Sequence, residues 1–189
     1  MHIKPQIRIL AIDDSPLIHE KVTIIGVFFR GGDQLDGILR NEITKDGMDA
    51  TEVFIRMING SKYHTQIRVI LLDGVTYAGF NPVDITNLFK ETGVPVISFM
   101  RSCPDLDKIK LALTNLPDAE KRWDIIQRAG KIYKIKQDNP VFMQLCGLDK
   151  ESAVKIIRMT STNSNIPEPL RVAHLIATGV VLGESTGKA

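Results

Sequence analysis

Apolar residues along this chain fall into short blocks with two different periods. Residues 7–13, IRILAID, form a nearly unbroken apolar run that stops at a carboxylate, as a strand buried on both faces would. Residues 20–30, EKVTIIGVFFR, are rich in β-branched and aromatic side chains and predict a second strand. GGD at 31–33 marks a turn, and residues 34–45, QLDGILRNEITK, alternate well enough for a third strand. The period then changes. In DATEVFIRMINGSK, Val53, Met57 and Ile58 recur at helical spacing, with Asp49 as candidate N-cap and Asn59-Gly60 as the stop. IRVILLD at 67–73 is another buried strand ending in an acid. A helix is expected from Asn81, with Pro82 in its first turn, to Gly93. The short strand VPVISFM follows, then helices at 105–114 and 118–129. A weaker strand pair is expected in KIYKIK and VFMQLC, with helices at 149–159 and 168–178, a loop at 161–169 and a frayed tail at 183–189.

Three strands with short connections predict an antiparallel meander. The helix–strand–helix–strand order after it predicts parallel crossovers. The expected fold class is therefore α/β, one mixed sheet with helices on both faces, in a single domain over residues 1–189. The first strand and the strand at 67–73 can lie side by side and parallel, which brings Asp13 close to Asp73.

Composition narrows the picture only a little. Hydrophobic residues make up 43% and charged residues 24%, ordinary for a soluble globular chain. A net charge of +2 neither demands nor excludes nucleic acid. Cys103 and Cys146 lack metal-ligand spacing and read as free thiols. No apolar stretch approaches the roughly 20 residues of a membrane span. Asp13 and Asp14 interrupt any secretory-type apolar region, so a cytoplasmic protein is expected. GESTGK near the end lacks the glycine spacing and the following helix of a phosphate-binding loop.

The candidate chemistry lies at the strand ends. Magnesium and manganese prefer hard oxygen ligands and keep several waters, so two or three carboxylates from different elements suffice. Asp13 and Asp73 are the obvious pair, and Glu52, in the first turn of its helix, is the third candidate. Each has a bland reading as well. Asp73-Gly74 is a good turn dipeptide, and a first-turn Glu is favoured by the helix dipole alone. Asp14 should point to the opposite side of its strand from Asp13 and reads as a cap or a supporting group.

RVILLDGVTYAGFNPVDITNLFKETGVPVISFMR resembles the central segment of endonuclease V, an RNase H-like nuclease family that cuts near deaminated adenine. AIDDSP resembles that family's first strand, and IPEPLRVAH its C-terminal Pro-Glu-Pro-Thr-Arg motif. DGMDATE, GFNPVDI and PEPLRVAHLIA look still more like a mostly archaeal relative, domain-of-unknown-function family 99. The resemblance implies an RNase H-like fold and a magnesium- or manganese-dependent nuclease acting on DNA or RNA. It makes Asp13, Asp73 and Glu52 the catalytic and metal-binding acids, and Arg101 and Arg171 the substrate-binding cations. His174 stands where the family's further acidic ligand is expected and joins Asp14 as a supporting residue. The family's Pro-Tyr-Ile-Pro-type wedge is replaced by EITKDGMDATE, and no histidine follows Asp73-Gly74, so inosine specificity is not implied. The alternative function is a nucleic-acid-binding module of the same fold without turnover.

Overall fold

The computed structural model describes residues 3–135 and 139–186. The chain opens with the meander β1 (Arg8–Asp14), β2 (Lys21–Arg30) and β3 (Gln34–Thr44), paired antiparallel. Helix α1 (Ala50–Asn59) leads to β4 (Val69–Asp73), which pairs parallel with β1 in a register that sets Ile9 opposite Val69 and Ile12 opposite Leu72. A miniature hairpin of β5 (Thr76–Tyr77) and β6 (Asn81–Pro82) precedes α2 (Ile85–Thr92) and β7 (Val96–Met100), which is parallel to β4. Helices α3 (Leu106–Leu113) and α4 (Ala119–Arg128) are followed by β8 (Tyr133–Ile135) and β9 (Val141–Cys146), and β9 closes antiparallel on β7. Helices α5 (Lys150–Thr160) and α6 (Glu168–Leu182) complete the described chain. Its main sheet has the order β3-β2-β1-β4-β7-β9-β8.

The two-residue period of the strands divides the core between the faces of this sheet. Leu10 and Ile12 of β1, with Ile70 and Leu72 of β4, pack against Val53, Phe54, Met57 and Ile58 of α1 and against Ile85 and Leu88 of α2. Ile9 and Ala11, with Val69 and Leu71, pack against Ala153, Ile156 and Ile157 of α5 and against Leu170, Ala173 and Ala177 of α6. The mixed sheet with helices on both faces, and the adjacency of β1 and β4, follow the pattern expected from the sequence.

Two boundaries and one cap differ from expectation. The helix expected from Asn81 starts at Ile85, capped by the Asp84 side chain, which accepts from the Thr86 and Asn87 amides. Asn81 is committed elsewhere. Its buried Oδ1 accepts from Ala50 N at 3.0 Å, and its Nδ2 donates to Thr44 O and Asp49 Oδ1. Asn81 thus caps α1 from a distance, and Asp49, at the N-cap position, makes no side-chain cap. Helix α6 runs four residues beyond its expected end at 178, to Leu182, because Gly183 supplies the left-handed C-cap. The ends of the expected strand at 131–136 and of the tail at 183–189 fall outside the described residues.

Two buried side chains fix the segments around the C-terminal ends of β1 and β4. Tyr77 is 1% exposed, and its ring packs edge-on against Phe54. Its hydroxyl donates to Ile12 O at 2.9 Å and accepts from Asp73 N at 2.9 Å, bridging the two strands. Arg122 of α4, 2% exposed, donates to four backbone carbonyls: Pro117, Gly47, Phe80 and Asp46. It clamps the turn before α1 to the β5–β6 hairpin. Removing either group leaves buried backbone partners unsatisfied, the Ile12 carbonyl without its donor and the Asp73 amide without its acceptor in the case of Tyr77, which costs the desolvation of each stranded atom. Tyr77→Phe should lower unfolding free energy by about 2 kcal/mol, and Arg122→Met by about 3 kcal/mol or more, with the m value unchanged in urea titrations. Midpoints equal to wild type would show that neither clamp carries stability.

Candidate active site

Strand alternation decides where each acid goes. Asp13 and Asp73 stand on the same side of the sheet as Ile9, Ala11, Val69 and Leu71, the side covered by α6. Asp14 follows Leu10 and Ile12 to the other side and holds the β5–β6 hairpin, accepting from Ala78 N at 2.5 Å. Arg101 continues the run of Ile97 and Phe99 beyond the end of β7, so it too falls on the α6 side. Gly74 ends β4 with φ 86°, a left-handed turn that a side chain would strain, while its N–H still bonds Phe99 O at 2.8 Å. That turn leaves the Asp73 carboxylate at the sheet's edge.

Helix α6 contributes His174. It lies four residues after Leu170 and three before Ala177, on the face that packs against β1 and β2. Its Nδ1 is 3.0 Å from Asp13 Oδ2. The other oxygen of Asp13 accepts from Asp14 N at 2.8 Å, and the residue is 4% exposed. Across the gap, Arg101 Nη2 is 3.8 Å from Asp73 Oδ2. These groups line an open cavity of about 390 Å³ at the C-terminal ends of β1 and β4, with the half-exposed Leu17 on its wall.

The electrostatics are those of crowded anions. Burial, then the charge of Asp13, pushes the Asp14 carboxyl up to about 7. Burial and Asp13 raise Asp73 to about 6, against the pull of Arg101 and His174. His174 is raised above its ordinary value by its hydrogen bond to Asp13 and, further, by one to the backbone of Thr186. Two acceptors around one imidazole suit the imidazolium, which donates from both nitrogens. Burial holds the Tyr77 phenol well above its usual range, so it stays a donor to Ile12 O.

The structure thus brings together Asp13, Asp14, Asp73, Arg101 and His174. It does not bring Glu52 or Arg171 into the lining. Glu52 is exposed on α1, whose apolar stripe of Ala50, Val53, Phe54, Met57 and Ile58 covers the opposite face of the sheet from Asp13 and Asp73. The expectation that a helix beside the sheet aims Glu52 at the same point overlooked this division of faces. Arg171 is held one turn back along α6 by Glu168, through bonds from Nε and Nη2. Among the described residues no group of three or more His, Cys, Asp and Glu is gathered as a ready-made metal cage. Tyr77 and Arg122 escaped sequence reasoning because their partners are backbone atoms far along the chain, which no spacing rule encodes.

The chain is 63% identical over 189 residues to a UPF0215 protein of Methanosarcina barkeri, covering 100% of this chain and 97% of that one. The crystal structure of a protein of unknown function from Archaeoglobus fulgidus superposes with TM-score 0.86 at 37% identity, covering 93% of this chain and 98% of that one. Endonuclease V of Ciona intestinalis, solved with a DNA containing inosine, superposes with TM-score 0.63 at 15% identity over 93% of this chain and 86% of its own, a likeness of fold. The fold is RNase H-like. A family model described as endonuclease dU matches residues 5–181, and the chain belongs to that family.

Proposed function

We propose that this protein is a divalent-metal-dependent endonuclease acting on DNA or RNA, with Asp13 and Asp73 as its central acids. The observation that carries this reading is the placement of two carboxylates on one side of two in-register parallel strands, at the same end, facing an open cavity. The family description and the DNA bound by the endonuclease V relative support it. The donor set fits magnesium or manganese: hard carboxylate oxygens, buried and then crowded by Asp13 so that Asp14 and Asp73 resist ionising without a cation. Asp13 and Asp73 would hold the ion, and Asp14, turned to the other side of β1, lies close enough to add its negative charge. Such an ion activates water and neutralises charge on a displaced phosphodiester.

The chain's own residues do the rest. Arg101, beside Asp73, is placed to hold a phosphate oxygen. His174 donates to Asp13 and fixes one of its oxygens. Leu17 offers an apolar edge next to the acids, where the sugar or base beside a bound phosphate would lie. A second reading, binding without turnover, is favoured by the engagement of Asp13 with His174 and by the lack of a preassembled cage among the described residues.

The test is a cleavage panel of unmodified, deoxyuridine-containing and inosine-containing DNA and RNA, with magnesium and manganese in turn. Metal-dependent cutting is expected, and Asp13→Asn or Asp73→Asn should reduce it at least about 100-fold, the upper end of what weakening a metal site costs. Glu52→Gln should retain most of the activity. Binding without cutting on every substrate would establish the second reading; activity lost in Glu52→Gln would return that residue to the site.

The same crowding makes stability depend on pH. Asp14 and Asp73 ionise later in the folded chain than in the unfolded one, so the folded state holds more protons between about pH 4 and 7. Stability contributed there is lost as pH rises through that window, and His174, also raised, adds to the loss above its ordinary value. The metal-free melting temperature should fall by at least about 3 °C from about pH 5 to 8, and manganese should restore part of it. Asp14→Asn should flatten the slope. A melting temperature that rises over this range would contradict the assigned electrostatics.

A further inference from the structure

The stretch GESTGK, which fails as a phosphate-binding loop, has another use in the fold. Gly183 caps α6 with φ 85°, its N–H bonding Gly179 O at 3.0 Å, and turns the chain back along the helix. Ser185 then lies against α6, its Oγ donating to Leu175 O at 2.9 Å. A Cβ at Gly179 would sit 3.4 Å from Ser185 Oγ, in ordinary van der Waals contact, so alanine fits there and a β-branched side chain crowds the hydroxyl. One residue on, the Thr186 backbone hydrogen-bonds the imidazole of His174. Since Nδ1 of that ring faces Asp13 Oδ2 at 3.0 Å, Nε2 is left for the Thr186 carbonyl. A continuous line of contacts therefore runs from the returning segment, through His174, to the central acid.

We infer that residues 183–186 form a positioning strap for the site: the Thr186 carbonyl fixes the ring of His174, and His174 fixes Asp13. His174 acts on the site through Asp13, which its Nδ1 meets at 3.0 Å. A hydrogen-bonded partner of a metal-holding carboxylate sets its direction and its affinity for the ion. Thr186 acts through its backbone, so its side chain is dispensable. Ser185 acts through its hydroxyl, and Gly179 by leaving that hydroxyl uncrowded. The inference rests on the proposed function only in taking Asp13 as a metal-holding acid; the orientation of the ring stands apart from it.

The test uses the full chain labelled with nitrogen-15, the ring signals of His174 assigned by their loss in His174→Gln, and manganese affinity measured in parallel. The wild type should show His174 with both ring nitrogens hydrogen-bonded and their protons slow to exchange. Gly179→Val and removal of residues 184–189 should each release Nε2, shift its resonance and weaken manganese binding about tenfold, the lower end for a supporting contact. Ser185→Ala, which leaves the helix intact, should do the same in part; Ser185→Thr and Thr186→Ala should match the wild type. Unchanged His174 resonances in both the Ser185→Ala protein and the shortened chain would overturn the strap, whatever the cleavage panel shows. A displaced ring with unchanged manganese affinity would overturn its link to Asp13. If the wild type binds no manganese and cuts nothing, the proposed function fails, while the ring signals still report on the strap.

Discussion

The hydroxyl of Tyr77 is the contact on which the site most depends. It ties the last carbonyl before Asp13 to the amide of Asp73, so the ends of β1 and β4 cannot splay. Two adjacent strand ends carrying like charges would otherwise tend to separate, because each carboxylate lowers its repulsion by turning to water. Phe54 wedges the ring from α1, and Arg122 pins the neighbouring turns by their carbonyls. The strand ends are thus held by a neutral phenol, and the turns beside them by a buried guanidinium that donates to backbone carbonyls. Rigidity at this end of the sheet comes from groups that carry no chemistry of their own.

Around that frame, charge is compensated unevenly. Asp13 receives an amide on one oxygen and an imidazole on the other. Asp73 has Arg101 at ion-pair distance, and Asp14 accepts from the Ala78 amide. The result is a graded set of carboxyls in one cavity, with the best-supported acid in the middle.

Much of this was legible in the sequence, and the reason is periodicity. The strands and helices announced themselves through two- and 3.6-residue repeats, and the two acids through the abrupt end of apolar runs. The parallel adjacency of β1 and β4 followed from connection rules. Glu52 lies outside the cavity lining because α1 covers the other face of the sheet, and the face a helix covers depends on which way a crossover packs, which the local pattern does not carry. The start of α2 was misjudged because Asn81-Pro82 is a good helix opening locally, yet the Asn side chain is recruited by Ala50 and Thr44 far upstream. His174 was noted only as a substitution in a resemblance, whereas the fold gives it a partner 161 residues away. What the local pattern cannot carry is the choice of distant hydrogen-bond partners.

β1 is apolar on both sides, with Ile9 through Ile12 all fully buried. A strand of that kind has no alternation to tell it which way to face, and sliding by one residue against β4 would still bury aliphatic groups. What forbids the slide is its polar end. Only one alignment lets Ile12 offer its carbonyl to Tyr77, Asp13 meet His174 and Asp14 meet Ala78. The acids that give the cavity its charge therefore also act as the key that fixes the central strand in its lock, so that loss of either Asp threatens the alignment of the sheet as well as the electrostatics of the cavity.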